Sequence, residues 1–408
     1  MIHDQRHSAW DEIHVSTDSA RGSNQSGLRA HNERLVLTLI RRMGPLAKAE
    51  IARLTGLSAQ TVSVIMRALE ADGLLKKGAP IRGKIGQPSI PMDLSPDGAY
   101  FLGLKIGRGS LELVLTNFLG DVIGRVRNAL RFPSPDDVVQ FANAAITELT
   151  GQLLPKQQAR VAGLGIALPF RLWDWPAMLS VETSNMEGWR DCDIAAEIAQ
   201  SWNFPVYMRN DASAACGAEL VFGDQNKPED FLYLYVGFFV GGGLVLDNTL
   251  YSGRTGNAAA LGSMPIGGLG AGMQQLVDVA SLAVLEKSLI EHGLPAKLIW
   301  GGPTDWAIPD AILDIWLTNA ATGLASAIVS SSCLIDFECV VIDGWMPADV
   351  RAELTARTAR MLDQTQVAGI EVPDMREGTI GSDARCLGAA SLPLSDRFLV
   401  NRNAILKG

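Results

Sequence analysis

One pattern occurs twice along this chain and limits what it can fold into: an apolar strand-like stretch, a glycine turn, and a second such stretch able to pair back on the first. The first copy runs Tyr100–Ile106, a turn at Gly107-Arg108-Gly109, Leu111–Thr116, a turn at Asn117 to Asp121, and residues 122–126. That spacing predicts an antiparallel meander. The second copy runs Phe231–Val236, a glycine turn over residues 237–243, and residues 244–246. Between the copies, Pro135 opens an amphipathic helix reaching about residue 154. A buried strand (161–167), a helix (194–202), a strand (206–209) and a helix starting at Asp211 follow. Strands alternating with helices predict an α/β fold, and the repetition predicts a duplicated unit: two lobes, divided near residue 210, with a ligand cleft between them. A chain of 408 residues also has room for a further domain.

That further domain is legible ahead of the repeat. Leu35, Val36, Leu39, Ile40 and Met43 recur at helical spacing over residues 31–43, with Arg34, Arg41 and Arg42 on other faces. Pro45 punctuates this helix, and a second over residues 48–54 supplies Ile51 and Leu54 before Gly56, as the tight turn of a helix-turn-helix requires. Ser58 caps a third helix whose buried stripe is Val62, Ile65, Met66 and Leu69. Gln60, Thr61, Ser63 and Arg67 are left on the other face, compact hydrogen-bonding groups near a helix N-terminus, suited to base edges and phosphates in a major groove. The alternative is an ordinary solvated helix face. Gly73 ends the helix, and strands at residues 74–77 and 90–94 flank a loop carrying Arg82, Gly83, Lys84, Gly86 and Gln87, a basic, glycine-flexed tip of the kind a wing needs to follow a phosphate backbone.

Charge supports the division. The whole chain carries -9, yet from Leu28 to Met92 there are eleven basic and four acidic residues, a surplus of seven, which leaves -16 for the remainder. A small basic module on a large acidic body fits a reader of double-stranded DNA joined to a sensor. The organisation expected is a disordered leader over residues 1–27, a winged helix-turn-helix over 28–94 and a two-lobed domain over 95–408. Residues 1–26 lack the apolar stretch of a signal peptide, and no uncharged run of about 20 apolar residues predicts a membrane span, so a cytoplasmic protein is expected. Cys192, Cys216, Cys333, Cys339 and Cys386 are scattered and form no C-x-x-C pair, which argues against a disulfide framework and a zinc knuckle.

Four further motifs carry a family resemblance. Thr183-Ser184-Asn185-Met186-Glu187-Gly188-Trp189 is similar to P-N-L-x-G-W, Asn210-Asp211-Ala212-Ser213-Ala214-Ala215 to N-D-A-N-A-A, residues 237–243 to G-T-G-V-G-G-G, and Leu387-Gly388-Ala389-Ala390 to L-G-A-A. In this order they resemble the ROK group (repressors, open reading frames, kinases), specifically its repressor branch with an N-terminal winged helix, over residues 28–392. The resemblance implies an actin/sugar-kinase-like (ribonuclease H-like) fold for the two-lobed domain.

The departures bear on function. Kinases of the family open with D-x-G-x-T, whose acidic residue organises metal and phosphates; the aligned stretch is Lys105-Ile106-Gly107-Arg108-Gly109-Ser110. Phe238 and Phe239 stand in the second phosphate turn where T-G is expected. Phosphoryl transfer depends on positioning and charge neutralisation, so the expectation is no catalytic residue and no enzyme activity, although Asp211 matches the family's catalytic base. In the sugar signature G-x-A-G-E-I-G-H, here Gly256-Asn257-Ala258-Ala259-Ala260-Leu261-Gly262-Ser263, alanine replaces the glutamate and serine the histidine. The zinc-holding cysteines are replaced by residues 270–275, so neither metal nor cofactor is expected.

The polar groups left for a ligand are Asn185, Asn210, Asp211, Asn257 and Ser263, with Trp173, Trp175 or Trp189 available to stack on a sugar face. Asn185 and Asn210 have an alternative as turn or capping residues, Asp211 as a helix cap, and the tryptophans as packing. The resemblance implies a homodimeric repressor, or a dimer of dimers, on a pseudo-palindromic operator, controlled by a small polyhydroxylated effector. Two alternatives are an active sugar kinase carrying a DNA module and a regulator whose sensor has lost small-molecule binding and answers a protein partner.

Overall fold

The computed structural model describes residues 24–80, 90–130, 132–170, 188–224, 228–267, 274–365 and 367–400. The chain divides into two compact units, Met1–Arg209 with Ala389–Gly408, and Asn210–Gly388.

The first unit opens with three helices, α1 (Asn24–Met43), α2 (Lys48–Thr55) and α3 (Ala59–Ala71). Helix α1 starts before residue 31, and residues 24–27, expected in the leader, are helical; residues 27–30 are exposed, so no apolar period marks this end. Val36, Leu37 and Ile40 of α1 pack with Ile51 of α2 and with Val62, Ile65, Met66 and Leu69 of α3, all at most 3% exposed. Burying each such side chain contributes about 1.5–3 kcal/mol. Two expected core residues lie outside this cluster: Met43 is 52% and Leu54 38% exposed, while Leu37, not anticipated, is buried. Gly56, at φ 72°, makes the turn between α2 and α3 and donates its N–H to Ala52 O, a left-handed conformation that favours glycine. Strands β1 (Leu75–Lys77) and β2 (Met92–Leu94) pair antiparallel, and Leu46 bridges Met92 through two backbone hydrogen bonds of 3.1 and 2.9 Å. Residues 82, 84 and 87 of the expected wing lie outside the described residues.

A five-stranded sheet follows in the same unit. It comprises β3 (Tyr100–Ile106), β4 (Leu111–Thr116), β5 (Val122–Asn128), β6 (Val161–Leu168) and β7 (Val206–Asn210), in the order β5-β4-β3-β6-β7. The first three strands form the antiparallel meander, and β6 runs parallel to β3. Helix α4 (Pro135–Gly151) starts from a capping box at Ser134, with Pro135 in its first turn, and ends three residues short of the expected 154. Helix α5 (Ile194–Ala199) precedes β7.

Three contacts fix the helical module on this sheet. Arg41, placed off the apolar stripe of α1, is half-buried: its Nη2 donates to Phe118 O, its guanidinium lies 5.2 Å from the Phe118 ring centroid, and desolvation pushes its pKa down to about 10. Arg160 donates from Nη1 to Asp72 O, at the end of α3, and to Gly98 O, each at 3.0 Å. Val400 N donates to Thr38 Oγ1 of α1 at 3.1 Å. Arg160→Ala is expected to lower stability by about 1–2 kcal/mol, because Asp72 O and Gly98 O each lose a charged donor. Calorimetry checks this.

The second unit contains α6 (Asp211–Phe222), β8 (Phe231–Val236), β9 (Val240–Leu246), β10 (Thr249–Tyr251), α7 (Leu282–Glu291), α8 (Asp310–Ser332), β11 (Cys339–Gly344), α9 (Ala348–Gln364) and β12 (Asp374–Glu377). Its sheet order, β10-β9-β8-β11-β12, repeats that of the first: a meander on one side and two parallel strands on the other. Duplication is therefore present in topology. The glycine run differs from expectation, because Gly241, Gly242 and Gly243 lie within β9 and only residues 237–239 form the turn. A Cβ at these three positions would fall 2.7 Å from Ala212 Cβ, 2.4 Å from Leu261 Cδ1 and 2.3 Å from Cys216 Cβ, so Gly241 and Gly243 allow α6 to lie directly on the strand and Gly242 makes room for Leu261. Among the described residues α8 alone is long and apolar enough to cross a membrane; Ala320, Ala321, Leu324 and Ile328 are buried within the unit and Trp316 Nε1 donates to Ser281 O at 3.1 Å. Its apolar content is that of a core helix.

A last helix, α10 (Ala384–Phe398), has its first five residues in the second unit and the rest in the first. Pro393 lies inside it and has no N–H for the carbonyl of Ala389. That carbonyl faces Gly165 of β6, where an added Cβ would lie 1.8 Å from it.

Candidate DNA-reading face and sensor site

The N-terminus of α3 is built by Ser58, whose Oγ accepts from Thr61 N at 3.1 Å and lies 2.8 Å from Thr61 Oγ1. Ser58 and Thr61, both expected on the reading face, thus hold each other and the first turn. Gln60 and Arg67 are exposed, Ser63 is half-buried, and Arg67 Nε donates to Ser63 O at 3.1 Å, which lays the guanidinium along the helix. Val64, exposed at 48%, adds an apolar contact surface on this face that charge reasoning missed. A thymine methyl is the base feature such a side chain would meet. Of the other bases, Arg29 pairs with Glu33 at 2.9 Å and Lys77 with Glu70 at 2.9 Å. The free N–H groups and partial positive charge at the start of α3 favour phosphate there.

Asn210, Asp211, Asn257 and Ser263, expected to meet a ligand, lie in the second unit. Asn210 is the N-cap of α6, its Oδ1 accepting from Ala212 N at 3.0 Å and Ser213 N at 3.1 Å, so that oxygen is committed to capping. Asp211 is half-buried; Oδ1 accepts from Ala212 N at 3.0 Å, and Oδ2 lies 3.4 Å from Arg385 Nη1. Asn257 is half-buried in the turns after β10, and Ser263 is exposed at the end of a short 3-10 turn, Leu261–Ser263. Trp189 is 2% exposed and donates from Nε1 to Pro133 O at 3.0 Å in the first unit, a packing role. Asn185, Trp173 and Trp175 lie outside the described residues.

Sequence reasoning missed Arg385. Its side chain is 13% exposed, its Cζ lies 5.1 Å from the Tyr235 ring centroid, and its Nε and the Tyr235 hydroxyl are buried without a hydrogen-bond partner. Burial pushes the Tyr235 phenol up to about 12. Beneath lies a second polar cluster: Asp343, fully buried, accepts from Tyr233 Oη at 2.9 Å, from Gly344 N at 2.8 Å and from Gly381 N at 3.0 Å, with Arg351 Nη1 at 3.6 Å. Burial raises the Asp343 pKa, and these hydrogen bonds oppose the rise.

The two turns aligned with phosphate-binding loops are filled by the chain itself. Lys105 is 5% exposed; its Nζ lies 3.5 Å from both Ser110 Oγ and Glu112 Oε2, and Glu112 Oε1 accepts from Arg125 Nη1 at 2.6 Å. A cation in a buried network stands where a carboxylate would organise metal. In the second unit the Phe238 ring lies 4.7 Å from that of Phe239 and 5.9 Å from that of Trp300, while Gly237 O and Phe238 O accept from Leu282 N and Ala283 N.

Comparison with known proteins agrees with this architecture. The ROK family model matches residues 101–276 and the MarR family model residues 27–84. The chain is 24% identical to the xylose repressor of Bacillus subtilis over 248 residues, 60% of this chain and 62% of that protein. Among solved structures, a ROK family transcriptional regulator, a homologue of the E. coli MLC protein, superposes with a TM-score of 0.67 at 20% identity, covering 93% of this chain and all of the other. The ROK family glucokinase of Streptomyces griseus, in complex with glucose and AMPPNP, superposes at 0.56 with 19% identity, covering 72% of this chain and 99% of the kinase. Residues 101–276 form a ROK family domain, preceded over residues 27–84 by a MarR-type winged helix domain.

Proposed function

We propose that this protein is a sequence-specific transcriptional repressor whose ROK domain senses a sugar or similar polyhydroxylated molecule and does not phosphorylate it. The observation that carries this reading is the exposed, capped face of α3 with Gln60 and Arg67, on a module with a surplus of seven positive charges in an otherwise acidic chain. The name of the B. subtilis relative supports a sugar as the effector class. The buried Lys105–Glu112 pair, which the exposed Arg125 also contacts, supports loss of phosphoryl transfer, since an ammonium at that position repels the magnesium a kinase must hold. Asp211 and Asn257, with Asn185, Asn210 and Ser263, are the groups proposed to meet the effector, and Arg82, Lys84 and Gln87 those of the wing proposed to meet DNA. A homodimer on a pseudo-palindromic operator in the cytoplasm completes the proposal, because two copies of a short reading helix supply the length of site that selective binding needs.

The test starts with DNA selected from a random-sequence pool by the intact protein. Fluorescence anisotropy is expected to give tight binding that weakens steeply with salt and is altered by D-xylose or another member of a sugar and polyol panel. Failure to select any sequence at low salt defeats the reading as a DNA-binding regulator. ATP-dependent phosphorylation of any member of the panel defeats the non-catalytic part.

A further inference from the structure

The exposed positions of α3 are Ala59, Gln60, Val64, Arg67 and Ala71. From Gln60 onward they recur at intervals of four, three and four, so Gln60, Val64, Arg67 and Ala71 form a single stripe along the helix. It lies opposite the buried stripe of Val62, Ile65, Met66 and Leu69, and is the face that packing against α1 and α2 leaves open.

A single valine on a protein surface is ordinary, but the place of Val64 within this stripe is informative. It stands between an amide and a guanidinium, at an exposed helical position where alanine, arginine or lysine would favour the helix more. At 48% exposure, its methyl groups find too little burial within the module to offset that preference. The side chains beside it leave it accessible. Thr61 and Ala68, one turn away on either side, are short, and Ala71 continues the stripe, so the backbone of α3 can come close to a groove floor. Arg67 bends toward Ser63, whose carbonyl accepts from its Nε at 3.1 Å, and this draws the guanidinium off the valine.

The surplus of seven positive charges over residues 28–92 favours a polyanionic duplex over an apolar protein face as the partner of this stripe. The apolar group that a major groove offers is the thymine methyl. The rise from Gln60 to Val64 is about 6 Å, close to two base-pair steps of about 3.4 Å. Resting on the reading of this protein as a sequence-specific DNA-binding repressor, we propose that Val64 is a specificity-determining residue that packs on a thymine methyl. Each half-site then places that thymine about two base pairs along the groove from the adenine met by Gln60.

Duplexes selected from a random-sequence pool by the intact protein are the probes. Each thymine is replaced in turn by deoxyuridine, which removes the methyl group and keeps every hydrogen-bonding edge. Wild-type binding is expected to weaken about threefold to fivefold at one thymine of each half-site, the loss for one buried methyl. That thymine is expected about two base pairs from the adenine whose preference Gln60→Ala relaxes. Val64→Ala removes an exposed side chain and favours the helix, so it is expected to fold as the wild type does; it should bind the thymine and uracil duplexes equally, with the salt slope unchanged. Three results overturn the proposal: wild-type indifference to uracil at every position, a uracil penalty that survives in Val64→Ala, or a sensitive thymine more than about three base pairs from that adenine. Selection of DNA without the methyl effect defeats the assignment of Val64 and leaves the repressor reading standing, whereas selection of no DNA defeats both.

Discussion

Gly388→Ala is expected to lower the melting temperature by about 10 °C, a large stability loss for a single methyl group. The added Cβ would sit 1.9 Å from Ala214 O, 2.2 Å from Ala214 C and 2.9 Å from Ala215 N. All three are backbone atoms of α6, so no rotamer relieves the overlap and a helix must move. Overpacking of side chains costs about 1–3 kcal/mol, and a forced backbone shift lies at or above the top of that range. For a unit of this size each kcal/mol corresponds to about 2–4 °C. Gly302→Ala is the control, because nothing lies within 4 Å of its added Cβ. Calorimetry of both variants decides the matter: a Gly388→Ala melting point within about 2 °C of the control means that α6 and α10 are not packed as closely as described.

The same contact illustrates what the sequence discloses. Leu387-Gly388-Ala389-Ala390 is legible as a motif, but the reason for its glycine is an α6 backbone 174 residues earlier in the chain. Local periods were sufficient where the burying partners were themselves local: the stripe Val62, Ile65, Met66 and Leu69 of α3 faces helices within 30 residues, and its 3.6-residue repeat identified every buried member. The duplicated meander was likewise visible, because each strand pairs with its sequence neighbour. The environment of Arg41 was not legible, for the opposite reason. Next to Arg42 it is one more base off the apolar stripe, and its half-buried contact is with Phe118, 77 residues on. Asn210 and Asp211 stood out because residues 210–215 resemble the motif N-D-A-N-A-A. Arg385 had no pattern to announce it, since its role depends on a partner 174 residues away. Glycines 241–243 read as a turn because three in a row suit one; they form a strand by pairing with residues 233–235, and the approach of Ala212 and Cys216 explains the lack of side chains at 241 and 243.

Replacing Gln60 and Arg67 together by alanine is expected to weaken binding to a selected operator at least about 100-fold, while the fold is unchanged. Both side chains are exposed, and neither supports the core stripe of α3, so circular dichroism and melting temperature should match the wild type. The single variants separate the two roles. Arg67 carries charge toward the backbone, so Arg67→Ala weakens every sequence alike and flattens the dependence of log affinity on log salt by about 0.9 per phosphate lost. Gln60 is uncharged and suited to a bidentate contact with adenine, so Gln60→Ala costs about 1–3 kcal/mol on the preferred base and leaves the salt slope intact. Ser58 and Thr61 behave differently again: because their hydroxyls cap α3, Ser58→Ala should cost about 1 kcal/mol of stability and reduce affinity through the helix end. Anisotropy titrations at three or more salt concentrations resolve these cases. Equal salt slopes for Gln60→Ala and Arg67→Ala, or a double variant within threefold of the wild type, would mean that this face of α3 does not meet DNA.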